Sequence, residues 1–181
     1  MNMRSEAHDT PLLRDGRSVT IRSLCEADHD AMLAFGEQLP QDDWIYLEDD
    51  LHNPDIIRRL VNAAEAENWR QIVAVDPVGA VVGYGVVRRL PGWSNHVGDV
   101  QLIISADYRR SGLGTAMGGA IFAAARDLGV GKVIVEIMAE QVGGQAIFTR
   151  LGFAVEGRLS AHARDRQGHH HDLHVLAYHV A

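Results

Sequence analysis

The residues best placed to do chemistry lie in one short stretch, Arg109-Arg110-Ser111-Gly112-Leu113-Gly114-Thr115, between the apolar run Val100-Gln101-Leu102-Ile103-Ile104 and a long Ala/Gly-rich segment. Strand, glycine turn and helix start in that order make an anion cradle. The first backbone N–H groups of a helix have no intrahelical acceptor, and the macrodipole adds roughly half a positive charge there, so a phosphate is the natural occupant. Gly112 and Gly114 lack a Cβ, which admits positive φ and the close approach of a ligand, while Arg109 and Arg110 add formal charge. The stretch reads as a pyrophosphate binder. It is not a Walker loop, because no lysine follows the glycines, and Gly118 comes one residue too late for the dinucleotide fingerprint G-x-G-x-x-G.

Histidines form another reactive cluster. His169, His170, His171 and His174 lie close together, with His162 and His179 on neighbouring predicted strands. Neighbours on a strand alternate faces, so His169 and His171 point one way and His170 and His174 the other. Two per face falls short of the four ligands of a closed structural zinc site, so the expectation is a solvated edge hairpin and no required metal. Cys25 stands at a predicted helix start, where a thiol pKa can fall, but without an identified partner it reads as inert.

Composition bounds the function classes. A chain of 181 residues, 46% hydrophobic and 23% charged, suits one domain with a substantial core. The expected division is a flexible polar arm over residues 1–15 and a single domain over 16–181. A formal charge of −7 and the absence of any Lys/Arg run argue against broad nucleic-acid or anionic-membrane binding. One cysteine cannot form an internal disulfide, and no apolar run reaches the ~18 residues of a membrane span. Glu6, His8 and Asp9 interrupt any apolar signal-peptide core, which makes a cytoplasmic location the expectation.

The elements that must position the cradle follow from periodicity. Residues 18–22 alternate with period two and predict a first strand. Ala31, Met32, Phe35 and Leu39 recur at helical spacing within 26–39, with Pro40 as the stop. Asn53-Pro54 opens a second helix with Ile56, Ile57, Leu60 and Val61 on one face. Between the two, Asp42, Asp43, Glu48, Asp49 and Asp50 mix with Trp44, Tyr46 and Leu51. That mixture fits a solvated loop whose aromatics fold onto the core, or the flank of a site for a cationic guest. Residues 70–76 and 80–87 form an antiparallel pair about a turn at 76–79. A central strand at 97–105, a helix at 112–128 closed by Gly129, a buried strand at 131–138 and a short helix at 142–151 follow. Strands at 153–161 and 170–180, joined by a turn at 165–168, complete the chain.

This order, β-α-α-β-β-β-α-β-α-β-β, carries two motifs: Arg109-x-x-Gly112-x-Gly114, and the run from Lys132 to Gln141 followed by Phe148-Thr149-Arg150-Leu151-Gly152-Phe153. Together they resemble the GNAT superfamily of N-acetyltransferases along essentially the whole chain. The glycine motif matches the coenzyme A signature [Q/R]-x-x-G-x-[G/A]; the later run is similar to the strand-five and helix-four block that ends in Leu-Gly-Phe. The resemblance implies an α/β (α+β) fold with a central mixed, mostly antiparallel seven-stranded sheet and about four helices. It implies acetyl-CoA as co-substrate. In the family, strands four and five splay, which assigns Leu102, Ile103 and Ile104 to the pantetheine through their backbone. Arg109, Arg110, Ser111, Gly112, Leu113, Gly114 and Thr115 then bind the phosphates, with Gln141 and Phe148 on the helix-four side.

Many members place a carboxylate at or near the position of Asp99, which implies a general base working through a water that Gln101, on the same face, can hold. The tyrosine that protonates the departing thiolate in many members is Phe148 here, and the asparagine that often opens helix four is Gln141. A tyrosine-type acid is therefore missing, though a thiolate is a good leaving group and solvent can supply the proton. The implied reaction is acetyl transfer to a primary amine of a small molecule, peptide or protein lysine, without nucleic-acid or membrane partners, and with a homodimer left open. Asp15-Gly16-Arg17-Ser18-Val19-Thr20-Ile21-Arg22 and Asp165-Arg166-Gln167-Gly168 with Asp172 resemble members related to protein-lysine acetyltransferases. The alternative is a non-catalytic acyl-CoA-binding sensor, which Phe148 favours and Asp99 argues against.

Overall fold

Residues 9–41, 43, 47–63 and 66–180 are described by the computed structural model. Their periodicities resolve into β1 (Thr20–Ser23), α1 (His29–Gln38), α2 (Pro54–Asn62), β2 (Trp69–Val75), β3 (Val81–Arg89), β4 (Val97–Ile104), α3 (Leu113–Leu128), β5 (Lys132–Met138), α4 (Val142–Arg150), β6 (Ala154–Arg164) and β7 (His170–His179). The strands form one seven-stranded sheet in the order β1-β2-β3-β4-β5-β7-β6, and β4–β5 is its one parallel pair. Seven strands, four helices and their order agree with the sequence expectation. The β6–β7 hairpin closes one end of the sheet as expected, with the histidine-bearing β7 placed between β5 and the edge strand β6; β1 is the edge at the opposite end.

Local chemistry accounts for the boundaries. The Asn53 side chain accepts the Asp55 N–H at 2.9 Å and Pro54 opens α2, satisfying one of the orphan donors of a first turn. At the other end of α3, Gly129 takes a left-handed φ of 73° and its N–H bonds back to the last turn. A 3-10 turn, Glu26–Asp28, precedes α1, where Arg22 clamps the Asp28 carboxylate at 2.7 and 2.8 Å. Asp9 bridges Ile21, Leu12 bridges Ser18 and Leu13 is buried, so residues 9–13 are tied to the sheet.

Two cores sandwich the sheet. On β2, Ile72 and Ala74 pack with the α3 residues Leu113, Met117, Ile121 and Leu128, whereas the alternate residue Val73 packs with Met32, Phe35, Ile57 and Leu60 of α1 and α2. β3, covered on both faces, is correspondingly apolar throughout Val81 to Val87. Its Tyr84 hydroxyl donates to Gln71 at 2.8 Å, and Gln71 donates to the Leu60 carbonyl at 2.8 Å, satisfying the buried polar atoms between sheet and α2.

Candidate active site

The site begins where the sheet comes apart. β4 and β5 pair only through Val97↔Lys132, Gly98↔Val133 and Asp99↔Ile134. Past that rung each strand keeps its outer neighbour, β4 as far as Gly83↔Ile104 with β3 and β5 as far as Met138↔Leu173 with β7. From Val100 to Ile104, the β4 edge facing β5 thus has no strand partner. Buried backbone groups left in that state need another acceptor or donor. A cavity of about 190 Å³ fills the gap, lined by Asp99, Gln101, Leu102, Glu136, Gln141 and Phe148, with Leu47 and Glu48 at its rim. Leu102 and Ile104 are half-buried and Ile103 is buried, so their side chains pack while their backbone edge stays available.

Asp99 sits on the last rung, at the apex of this cleft. Burial, reinforced by the nearby charges of Glu48 and Glu136, pushes its carboxyl up from 3.8 to about 7. Arg88, its partner in the β3/β4 register, acts against the rise. That cation is divided, since it bonds Glu48 at 2.6 Å, bonds Asp49, and lies 4.7 Å from the Trp69 ring centroid. A half-buried carboxyl that titrates near neutrality has the property a general base or acid needs. Gln101 lines the same cleft two residues further along β4.

The turn at the start of α3 has a different division of labour from the one its sequence suggests. Gly112 caps the helix at φ 92°, a conformation that requires glycine, and Ala116 is the first residue to bond back, to the Gly112 carbonyl at 3.1 Å. The N–H groups of Gly114 and Thr115 in that first turn remain for an anion. Ser111 is buried: its hydroxyl donates to the Tyr108 carbonyl at 2.6 Å and accepts the Leu113 N–H at 3.3 Å. The Leu113 side chain is core, and a Cβ on Gly114 would meet Ile147 Cδ1 at 2.7 Å, so the second glycine lets α4 pack against α3. Arg109 bonds Asp43 and the Ile104 carbonyl, at 3.3 Å for the latter, while Arg110 is exposed with φ 60°. A positive-φ cap, free first-turn N–H groups and nearby guanidinium groups fit a phosphate-bearing ligand.

The model of the acetyltransferase (GNAT) family matches residues 26–153, more than two-thirds of the chain. The chain belongs to this family. Solved structures share its fold: the GNAT domain of S. lividans PAT is 14% identical with a TM-score of 0.81, covering 98% of this chain and 99% of that one. An acetyltransferase of the GNAT family from Streptococcus pneumoniae is 16% identical, TM-score 0.77, covering 90% and 99%. A GNAT superfamily phosphinothricin acetyltransferase from Sinorhizobium meliloti, in complex with AcCoA, is 17% identical, TM-score 0.77, covering 90% and 89%. No curated protein matches the sequence.

Within this GNAT chain the helix-four side departs from the common pattern. Gln141 precedes α4 and its Oε1 accepts the Met138 N–H at 3.2 Å, bracing the end of β5. Phe148 is buried at the cleft wall, its ring 5.1 Å from Phe153 in an edge-on contact. His169, His171 and His174 serve as hydrogen-bonding groups. His171 lies 3.0 Å from Glu140 and 3.2 Å from Asp165, carboxylates that raise its pKa, and His174 meets Gln145 at 3.0 Å. Among the described residues no group of His, Cys, Asp and Glu is arranged to hold a metal. Asp42, Trp44 and Tyr46 of the acidic-aromatic stretch lie outside the described residues. Glu136 also lines the cleft; it lies within the Lys132–Gln141 run, whose resemblance gave it no role, and strand alternation puts it on the same face of β5 as Ile134.

Proposed function

We propose that the chain transfers the acetyl group of acetyl-CoA to a primary amine of a small molecule, peptide or protein lysine. The observation that carries this reading is the divergence of β4 and β5 at Asp99, which sets a near-neutral carboxyl beside an unpaired backbone edge leading to the α3 cradle. In this reading the backbone of Leu102, Ile103 and Ile104 holds the pantetheine amides, and the first turn of α3 holds phosphate. The amine nitrogen attacks the thioester carbonyl, an N–C bond forms, the C–S bond breaks, and the amine proton passes through a water held by Gln101 to Asp99. Phe148 has no proton to give, so the thiolate leaves and takes its proton from solvent.

Thiol release with acetyl-CoA across a panel of amines and lysine-containing proteins tests the reading. Turnover above the uncatalysed rate, lost in Gly112→Val together with coenzyme A affinity, is the expected result. Phe148 is the one observation that favours a sensor instead. Tight coenzyme A binding with no transfer to any acceptor would decide for it.

A further inference from the structure

We infer that Arg14 is a phosphate-binding residue of the acetyl-CoA site, an assignment that rests on the cradle reading above. Arg14 belongs to the polar segment before β1, which carries no motif. The structure nevertheless fixes it on the cradle. Its backbone N–H donates to the Ser111 carbonyl at 2.9 Å, one residue before the helix cap. A Cβ built on Gly112 would stand 3.6 Å from Arg14 Cγ and 3.6 Å from Nε, so the Arg14 side chain borders the positive-φ glycine.

The hairpin that carries it is anchored on both sides. Leu13 is buried in the α3 core, its N–H donates to the Arg17 carbonyl at 2.8 Å, and the Gly16 N–H returns to the Leu13 carbonyl at 3.0 Å. Arg17 bonds Asp15 at 2.6 Å and the Asp107 carbonyl at 2.8 Å and stacks 3.7 Å over the Tyr108 ring, joining the hairpin to the segment that leads into the turn. Nearby cations are thus sorted by their commitments. Arg17 is held by Asp15, and Arg109, the arginine of the sequence motif, is held by Asp43. Arg14 is exposed beside Gly112. A guanidinium in that place offers two parallel N–H donors to a phosphate already attracted by the helix start. The Asp43 bond commits part of the Arg109 guanidinium, and Arg14 reaches the turn from its other side.

Calorimetry on the full chain with coenzyme A, 3′-dephospho-coenzyme A and pantetheine tests the assignment, with pantetheine followed by displacement. Arg14→Ala should weaken coenzyme A binding about tenfold or more, a size expected for a hydrogen bond to a charged group. Its dependence on salt should flatten, since one screened cation is gone. Arg14→Lys should recover part of the loss, and pantetheine, which has no phosphate, should bind both variants as it binds wild type. A loss that persists with 3′-dephospho-coenzyme A assigns Arg14 to the pyrophosphate; a loss that vanishes assigns it to the 3′-phosphate. Coenzyme A binding equal to wild type in Arg14→Ala, or an equal loss with pantetheine, overturns the inference. Failure of the cradle reading looks different: Gly112→Val would then bind coenzyme A as wild type does, or wild type would not bind it, and either result removes the Arg14 assignment too.

Discussion

Asp99 holds its charge in a place that resists it. Desolvation and two neighbouring carboxylates favour the protonated form, so between its ordinary 3.8 and about 7 the folded chain binds a proton that the unfolded chain has released. Stability from this group is full below 3.8 and is lost as pH rises through about 7. Asp99→Asn carries no charge to bury, so the melting temperature of the variant minus that of wild type should widen with pH over this window and level off above it. Parallel melting curves across roughly pH 4–9 would show that burial does not act on Asp99 in this way. The same titration should appear in catalysis, where kcat/KM rises through about 7 in wild type and that ionisation disappears in Asp99→Asn at unchanged coenzyme A affinity. Phe148 makes the opposite argument. A placed acid contributes about 10²–10⁴-fold where protonation limits the rate. If the thiolate leaves unassisted, Phe148→Tyr should change kcat by less than about tenfold. A rise of a hundredfold or more would show that protonation limits the wild-type rate.

At the scale of elements, the cleft wall at Leu47 and Glu48 depends on how closely α1 approaches the chain at 47–51. A Cβ on Gly36 would stand 2.1 Å from the Leu51 carbonyl oxygen, a backbone atom that cannot turn aside. Gly36→Ala should therefore cost about 1–3 kcal/mol, which is on the order of 2–4 °C of melting temperature per kcal/mol for a chain this size. It should also raise KM for the acceptor, because Leu47 and Glu48 of the same segment line the cleft. Gly119→Ala is the control: nothing lies within 4 Å of its Cβ position, so gaining helix propensity without a clash should raise the melting point slightly. A Gly36→Ala chain as stable as wild type would mean that α1 can move off the segment without loss. Element identity was legible because it is a local property: Asn53 and Gly129 cap their helices by their own side chain or φ, and β2 is a short apolar run, Ile72 to Val75, that ends at the turn over 76–79. Partnership was not. The insertion of β7 between β5 and β6, the Arg109–Asp43 bond and the anchoring of Arg14 at Ser111 join residues far apart in the chain, and no periodicity records them. The places of Gly112 at a positive-φ helix cap and of Asp99 beside the cleft were legible because each depends on a turn or a strand position that the sequence displays.

Across the whole molecule the charge is divided between the two ends of the site. The chain carries a formal −7, and the cleft is lined by Asp99 at its apex and by the exposed Glu48 and Glu136, with Arg88 as their neighbouring cation already shared between Glu48 and Asp49. The α3 start, by contrast, combines a helix N-terminus with the exposed guanidinium groups of Arg14 and Arg110. On the proposed function, this division favours an anionic thioester carrier at the α3 start and a cationic acceptor in the cleft, and opposes an acceptor bearing a carboxylate. Among acceptors of matched length, kcat/KM should rank a diamine above a neutral monoamine and both above an amino acid. Because Glu48 and Glu136 are exposed, the diamine advantage should be modest, several-fold, and should shrink as salt shortens the screening length from about 10 Å at 0.1 M. Glu136→Gln removes one cleft charge without touching the cradle, so it should reduce the diamine advantage while leaving the KM for acetyl-CoA unchanged. Equal kcat/KM for diamine and amino acid at low salt would show that acceptor choice is set by shape in the cleft and not by its charge.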